Sequence, residues 1–419
     1  MKLIHLADLH FGKLLCGVNL AESGDQRRWC EQCLSIVEEE QPQAVVIAGD
    51  IYDRSLPAAS ARRLCSWFLT ELSRRTTVMM IAGNHDAAET VGYLAELLEP
   101  QGLYVSGSIE RELTHVTLED AYGPFTFWLM PYFFPAKVME ALGLEETPAT
   151  YTQAAKLLLE RQSVDWSQRN VLVAHQMVVG GGREPERGGS ETIVGGVGAI
   201  DREAFAGFDY VALGHIHRPQ QMGEGMVYAG APLCYHFDEA GKADEGNARR
   251  GILVAELGEK GTPVRLRRRE TPPLHPLRNV TGKLKEILAG EGESAARSGE
   301  YVHVRLTDEL VPPRVRDMLE AYFEEKGSSL LLLDRRVTAS GGGDLRRDAM
   351  EERSLDELFT AYYEAQYPDR PMTEAEQALV REAAALLEET RGGENDEDAA
   401  EKAAERLVSC ALKQKEGEP

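Results

Sequence analysis

Short apolar runs recur through the first 270 residues in a pattern that suits buried strands: "KLIHLAD", "AVVIAGD", "TVMMIAGNHD", "FTFWLMPY", "NVLVAHQ", "YVALGHIH" and "GILVAEL". Each is brief, rich in β-branched or aromatic residues, and ends in a polar or glycine-containing group. Between them lie stretches whose apolar residues repeat at helical spacing, among them residues 58–75 ("AASARRLCSWFLTELSRR") and 151–163. Strands alternating with helices predict an α/β domain built on a large sheet system.

The pattern changes after "ETPPLHPL", residues 270–277, a proline-rich break that predicts a domain boundary. A helix-period stretch near 280–289, a strand "YVHVRLTD", a helix near 313–326 and a strand "SLLLLDRRV" follow, and together they predict a small β-α-β unit. "SGGGD" at 340–344 is a flexible joint. Beyond it, "SLDELFTAYYEAQY" and "TEAEQALVREAAALLEE" have amphipathic helical spacing, with Ser354 and Thr373 as N-caps and "PDRP" between them. Such helices either pack on the body or dock on another protein. "RGGENDEDAAE" reads as a solvated acidic linker. The expected division is 1–272, 273–340, a linker 341–353, and C-terminal helices within 354–419.

Of the 419 residues, 43% are hydrophobic and 27% charged, which supports more than one core and places the chain among globular proteins. No apolar run approaches the roughly 20 residues of a membrane span, and "MKLIHLADLHFGK" lacks the apolar block and cleavage site of a signal peptide. A cytoplasmic location is expected. The six cysteines are scattered and read as free thiols; the close pair in "CEQC", residues 30–33, falls in a helix-period stretch and reads as ordinary packing. Net charge is −23, of which −11 lies from Asp344 onward and −12 before it. An acidic body of this kind meets a polyanion only through local patches, bound cations or a partner.

Polar clusters sit at the ends of five of the strands: Asp8 and His10 in "ADLH", Asp50 and Asp53 in "GDIYDR", Asn84, His85 and Asp86 in "GNHD", His175 in "AHQ", and His215 and His217 in "GHIH". Strand ends are where open α/β sheets assemble sites. Asp8 and His10, like His215 and His217, are two apart, so in extended chain each pair points to one side and can converge on a metal. Carboxylate, amide oxygen and imidazole without thiolate suit Mn, Fe or Zn. Seven candidate ligands exceed what one ion needs and suit two, with Asp50 as the natural bridge. Two such ions can hold a phosphate and stabilise the entering and leaving oxygens of an in-line displacement, which is phosphoester hydrolysis. Asn84 and His85 point to different sides, so if Asn84 is a ligand His85 is free to act on the substrate, and Asp53 can orient it.

In this order, D-x-H, GD-x-x-D, GNHD, H and GH-x-H, the clusters resemble the calcineurin-like metallophosphoesterase superfamily over residues 1–235. The resemblance implies a two-sheet sandwich flanked by helices. It implies one metal on Asp8, His10, Asp50 and His217, a second on Asp50, Asn84, His175 and His215, a catalytic His85 oriented by Asp53, and a phosphate contact at Arg54. A narrower resemblance, carried by "MKLIHLADLHFGK", "VIAGDIYDR", "FDYVALGHIHRPQ" and "YAGAPLCYHFDEAGKADEG", is to the SbcD family of bacterial nuclease subunits. It extends to the later unit as a capping domain and to "RSLDELFTAYYEAQY" as a partner-binding segment. That family implies a Mn2+-dependent DNA exonuclease and endonuclease of double-strand-break repair and recombination. It would work as a homodimer with two copies of the coiled-coil ATPase SbcC.

Two competing functions share these features. A phosphodiesterase or phosphatase for a small molecule or phosphoprotein would use the same site, but would not need the second domain or the outlying helices. A binding subunit with a vestigial site would be expected to have lost ligands, and the set is complete. The glycine-rich loop "VVGGGREPERGGSETIVGG" could move near a substrate or be a plain surface loop. "RLRRRE", residues 265–270, either meets DNA phosphates or forms a solvated strand edge. His5, His115, His236 and His303 read as structural.

Overall fold

Alternation along the apolar runs decides the architecture, because each strand has two faces to bury. Val45 and Ile47 point to one core while Ala44, Val46 and Ala48 point to another. The computed structural model describes residues 1–180, 184–186, 198–241, 247, 250–290, 297–308, 311–335 and scattered positions between 356 and 383. Two compact units divide the chain, Met1–Val337 and Thr338–Pro419. The linker 341–353, most of the C-terminal helices 354–419 and most of the glycine-rich loop lie outside the described residues.

In the first unit, two six-stranded sheets face each other. One runs Arg265–Glu270, Gly251–Glu256, Lys2–Leu6, Ala44–Ala48, Thr77–Ile81, Leu103–Ser106, and its last four strands are parallel. The other runs Gln220–Gly223, Met226–Tyr228, Tyr210–Gly214, Arg169–His175, Gly123–Met130, Thr114–Asp120, with its four inner strands parallel. Leu3, Val46, Met79 and Ile81 meet Phe125, Phe127, Val171 and Ala212 between the sheets. Helices Asp25–Glu40 and Ala59–Ser73 cover the outer face of the first sheet, and helices Pro135–Leu142 and Tyr151–Glu160 that of the second. This is the expected two-sheet sandwich flanked by helices. No helix among the described residues is long and apolar enough to cross a membrane.

Cys30 and Cys33 are buried in the first of these helices, and burial pushes both thiols up, as packing side chains should be. "RLRRRE" forms the edge strand Arg265–Glu270, and two of its arginines are paired within the protein. Arg267 and Arg269 both hold the buried Glu40, and Arg269 also reaches Glu39 at 2.6 Å.

Residues 277–335 form a third, all-parallel sheet of Leu277–Gly282, Tyr301–Leu306 and Ser329–Arg335, with helices Leu284–Ala289 and Val315–Glu325. It has its own core of Val280, Val302, Val304, Leu319 and Phe323. The first of these strands is not evident in the sequence. Arg278 occupies a buried position there, paired with Glu300 at 2.9 Å, and a charge at an inward position hides the alternation. The sheet is tied to the sandwich through the turn Phe237–Ala240: Asn279 donates to the Phe237 carbonyl at 2.8 Å and Arg305 lies 3.4 Å from Asp238.

Candidate metal centre

The strands Lys2–Leu6, Ala44–Ala48, Thr77–Ile81, Arg169–His175 and Tyr210–Gly214 run into the same group of polar side chains at their carboxyl ends. The turns that bring them there are strained. Asp8, His10, Asp50 and His215 have φ of 55°, 43°, 51° and 100°, a side of backbone space that costs a non-glycine residue about 1–3 kcal/mol. The first two turns brace each other, Asp8 N–H on the Gly49 carbonyl at 3.1 Å and His10 N–H on that of Asp50 at 2.9 Å. Close approach here requires glycine: a Cβ on Gly49 would lie 2.2 Å from His175 Nδ1, and one on Gly83 would lie 2.2 Å from Asp50 Oδ1.

Asp50 is central. Its Oδ2 lies 3.5 Å from His10 Nε2 and 3.3 Å from His175 Nε2, while Oδ1 accepts the main-chain N–H of His85 at 2.9 Å. On the His10 side, His217 Nε2 is 3.1 Å from His10 Nε2, and Asp8 completes a trio of groups that could hold one ion. On the His175 side, Asn84 Oδ1 is 3.0 Å from His175 Nε2 and 2.9 Å from His215 Nδ1. Asp8, Asp50 and His175 form a second trio of close donor atoms. All seven candidate ligands therefore meet. Asp8, His10, Asp50, His175 and His217 are buried, Asn84 is exposed and His215 partly so, which leaves one side of the cluster open to a substrate.

A cation fits this donor set. Asp8 Oδ2 is buried without a hydrogen-bond partner, a costly arrangement for a site built only of protein. Oxygen and imidazole nitrogen donors with no thiolate suit a hard or borderline divalent ion. The protonation of the cluster carries the same message. Burial raises Asp8 to about 6, holds His10 well below its usual range, and with the His175 charge lowers His215 to about 3. Burial would also raise Asp50 and lower His175, but their mutual attraction reverses both: Asp50 lies well below the carboxylate range and His175 rises to about 9. A proton thus stands where a divalent cation would compete for it.

His85 lies beside the cluster, its ring 4.9 Å from that of His10. Its Nδ1 donates to the main-chain carbonyl of Asp53 at 3.0 Å. The sequence points to Asp53 as the group that orients His85, and the contact made is through backbone. The Asp53 carboxylate is turned to Lys13 at 2.8 Å, with His10 Nδ1 at 3.7 Å and the exposed Arg54 at 3.9 Å. His5, His115, His236 and His303 pair with Tyr210, Trp128, Asp238 and Asp334, away from the cluster.

Three supporting residues have no role that the sequence alone suggests. Asp86 accepts the N–H groups of Ile51, Tyr52 and Gly83 and so ties the Asp50 and Asn84 turns together. Gln26, from the first helix, donates to the Leu9 and His10 carbonyls and accepts from Gly12. Glu239 accepts from His217 Nδ1 at 3.1 Å. The aspartate of "GNHD" is visible as part of a cluster, but nothing in sequence links Gln26 or Glu239 to it.

The sandwich and the candidate ligands at its strand ends are those of a metallophosphoesterase, and the chain belongs to the calcineurin-like phosphoesterase family, whose profile matches residues 1–219. A second profile, the type 5 capsule protein repressor C-terminal domain of the SbcD type, matches residues 273–367. The chain is similar to the SbcD subunit of the SbcCD nuclease of Staphylococcus epidermidis, at 31% identity over 317 residues, which is 74% of this chain and 79% of that protein. It is thus a homologue of the SbcD nucleases, a hydrolase of phosphodiester bonds. The crystal structure of the protein TT1561 of Thermus thermophilus matches with a TM-score of 0.36 and 12% identity, over 64% of this chain and 98% of that one. A likeness that slight adds nothing to the assignment.

Proposed function

We propose that this chain is a two-metal DNA nuclease in which Asp8, His10, Asp50 and His217 hold one divalent ion and Asp50, Asn84, His175 and His215 the other. One observation carries this: a single buried carboxylate oxygen, Asp50 Oδ2, lies between His10 and His175, with a donor set on each side. Two bound divalent ions supply Lewis acidity toward the phosphate and lower the pKa of water. The physiological ion is Mn2+, to which this oxygen and nitrogen set is suited.

His85 is the catalytic histidine. Because the Asp53 carbonyl can only accept, His85 keeps a proton on Nδ1, and when Nε2 also carries one it is that second proton that passes to the leaving oxygen, leaving the neutral ring. Asp53 orients the ring through its carbonyl, and Arg54, exposed at the rim, meets phosphate. Residues 1–272 form the nuclease domain and 273–340 a capping domain. Segment 354–419, beyond the linker 341–353, docks on an SbcC-type coiled-coil ATPase. Two nuclease and two ATPase subunits would act together in the cytoplasm on double-stranded ends and on single strands or hairpins. The name of the staphylococcal relative and the match over 273–367 support the partner and the substrate.

The test is cleavage of end-labelled linear DNA and of bis-p-nitrophenyl phosphate with Mn2+, by the wild type with and without the ATPase. Cleavage of both substrates is expected. Cleavage of the small diester alone, with ATPase and ATP present, would make it a phosphodiesterase for another substrate. Deletion of 345–419 should abolish co-purification with the ATPase and spare hydrolysis of the small diester.

A further inference from the structure

Behind His217, away from the other ligands, lies a second set of buried charged groups. Glu239 Oε1 is 3.1 Å from His217 Nδ1. A carboxylate accepts, so in the neutral imidazole the proton sits on Nδ1, and Nε2, 3.1 Å from His10 Nε2, presents its lone pair to the cluster. The other oxygen of Glu239 accepts from Arg250 Nη2 at 2.8 Å and from the Tyr235 main-chain N–H at 2.9 Å. Arg250 closes the circuit by donating to the carbonyl of His217 itself at 2.5 Å. His217, Glu239 and Arg250 are 4%, 7% and 5% exposed. A buried carboxylate and guanidinium are expensive unless well paired, and this pair grips one histidine at both its ring and its backbone.

We propose that Glu239 is a positioning residue of the metal centre: backed by Arg250, it fixes the tautomer and direction of His217, so that Nε2 faces the ion shared with Asp8, His10 and Asp50. The proposal rests on the two-metal reading above. A carboxylate behind a ligating imidazole sets both ring orientation and basicity.

Glu239→Gln is the discriminating variant because it keeps size and shape. The Oε2 position receives two N–H donors, so the amide oxygen settles there and the amide NH2 faces His217. Nδ1 must then accept, which moves the ring proton to Nε2 and blocks coordination. The experiment compares full-length wild type and E239Q by calorimetric Mn2+ titration, by 15N spectra of histidine-labelled metal-free protein, and by thermal melting as a check on folding. Two ions are expected on the wild type. In E239Q one ion should weaken by about 10–100-fold while the other is held as before, and one histidine should change to the Nε2–H tautomer. Wild-type affinity for both ions with an unchanged tautomer would overturn the proposal. Should E239Q fail to fold, Glu239→Asp keeps the charge and withdraws the acceptor by one methylene. A smaller weakening of the same ion then supports the role, and full affinity overturns it. If the wild type takes up no Mn2+, the two-metal reading falls, and the tautomer comparison decides the hold of Glu239 on His217 by itself.

Discussion

His10 and His217 bring their Nε2 atoms to 3.1 Å of each other in a buried site, from strand ends more than 200 residues apart in sequence. Only one proton fits between two such nitrogens, and Glu239 draws the His217 proton to the far side of its ring. With the His217 proton on Nδ1, the contact is a hydrogen bond from His10 Nε2–H to His217 Nε2, with Asp50 Oδ2 3.5 Å from His10 on the same side. A divalent cation bound there would displace that proton.

Substituting either imidazole should remove one ion of two. For His217→Ala and His10→Ala, Mn2+ calorimetry is expected to show a stoichiometry of one where the wild type shows two. Diester hydrolysis should fall by about 10²–10³-fold, the several kcal/mol that one metal contributes. Full stoichiometry in both variants would remove these residues from the ligand set.

His85 is proposed to serve catalysis and not metal binding. It touches Asp50 through its main-chain N–H, which His85→Ala retains. Both ions should bind as in the wild type, while hydrolysis falls by about 10²–10⁴-fold, the range for loss of a general acid or base. Loss of an ion in this variant would instead make His85 a ligand.

The sandwich was legible because its central strands are buried on both faces and so appear as continuous apolar runs, and the polar cluster was legible because five of those runs end in its members. Strand Leu277–Gly282 was not, since Arg278, buried and paired with Glu300, occupies a position where alternation would place an apolar residue. Nor was Glu239, whose part in the site depends on a turn that folds back beside His217 and leaves no spacing signature. The internal pairing of the basic run 265–270 was not legible either. Its partners Glu39 and Glu40 lie more than 200 residues away, at the end of the first helix.

That pairing predicts an acid limb of stability. Hydrogen bonds from Arg267, opposed by burial and reinforced by Arg269 and Lys2, hold Glu40 down to about 2 from a usual value of 4.5. A depressed carboxylate contributes its full stability above its unfolded pKa and loses it as pH falls toward the folded one. For Glu40 the window runs from 4.5 down to about 2. Glu40→Gln should melt below the wild type at pH 7, and the gap should narrow as pH falls from 5 to 3. Parallel melting curves across that range would show that the arginines find other partners.

Gly83 tests whether the proposed bridging role of Asp50 depends on backbone packing. An added Cβ would lie 2.2 Å from Asp50 Oδ1 and 2.3 Å from Asp50 N, and Gly83 has no positive φ, so the obstacle to alanine is contact alone. Relief must come from moving Asp50, whose turn is already strained and braced against Asp8 and His10. Gly83→Ala should therefore cost about 1–3 kcal/mol in urea denaturation, the usual range for overpacking. More tellingly, it should weaken both ions together, because in the proposed ligand sets Asp50 is the shared residue. Gly223, where an added Cβ would meet nothing nearer than 3.8 Å, gives the control: Gly223→Ala should leave metal binding unchanged. If Gly83→Ala weakened one ion and spared the other, Asp50 would belong to a single site and the second would need another bridge.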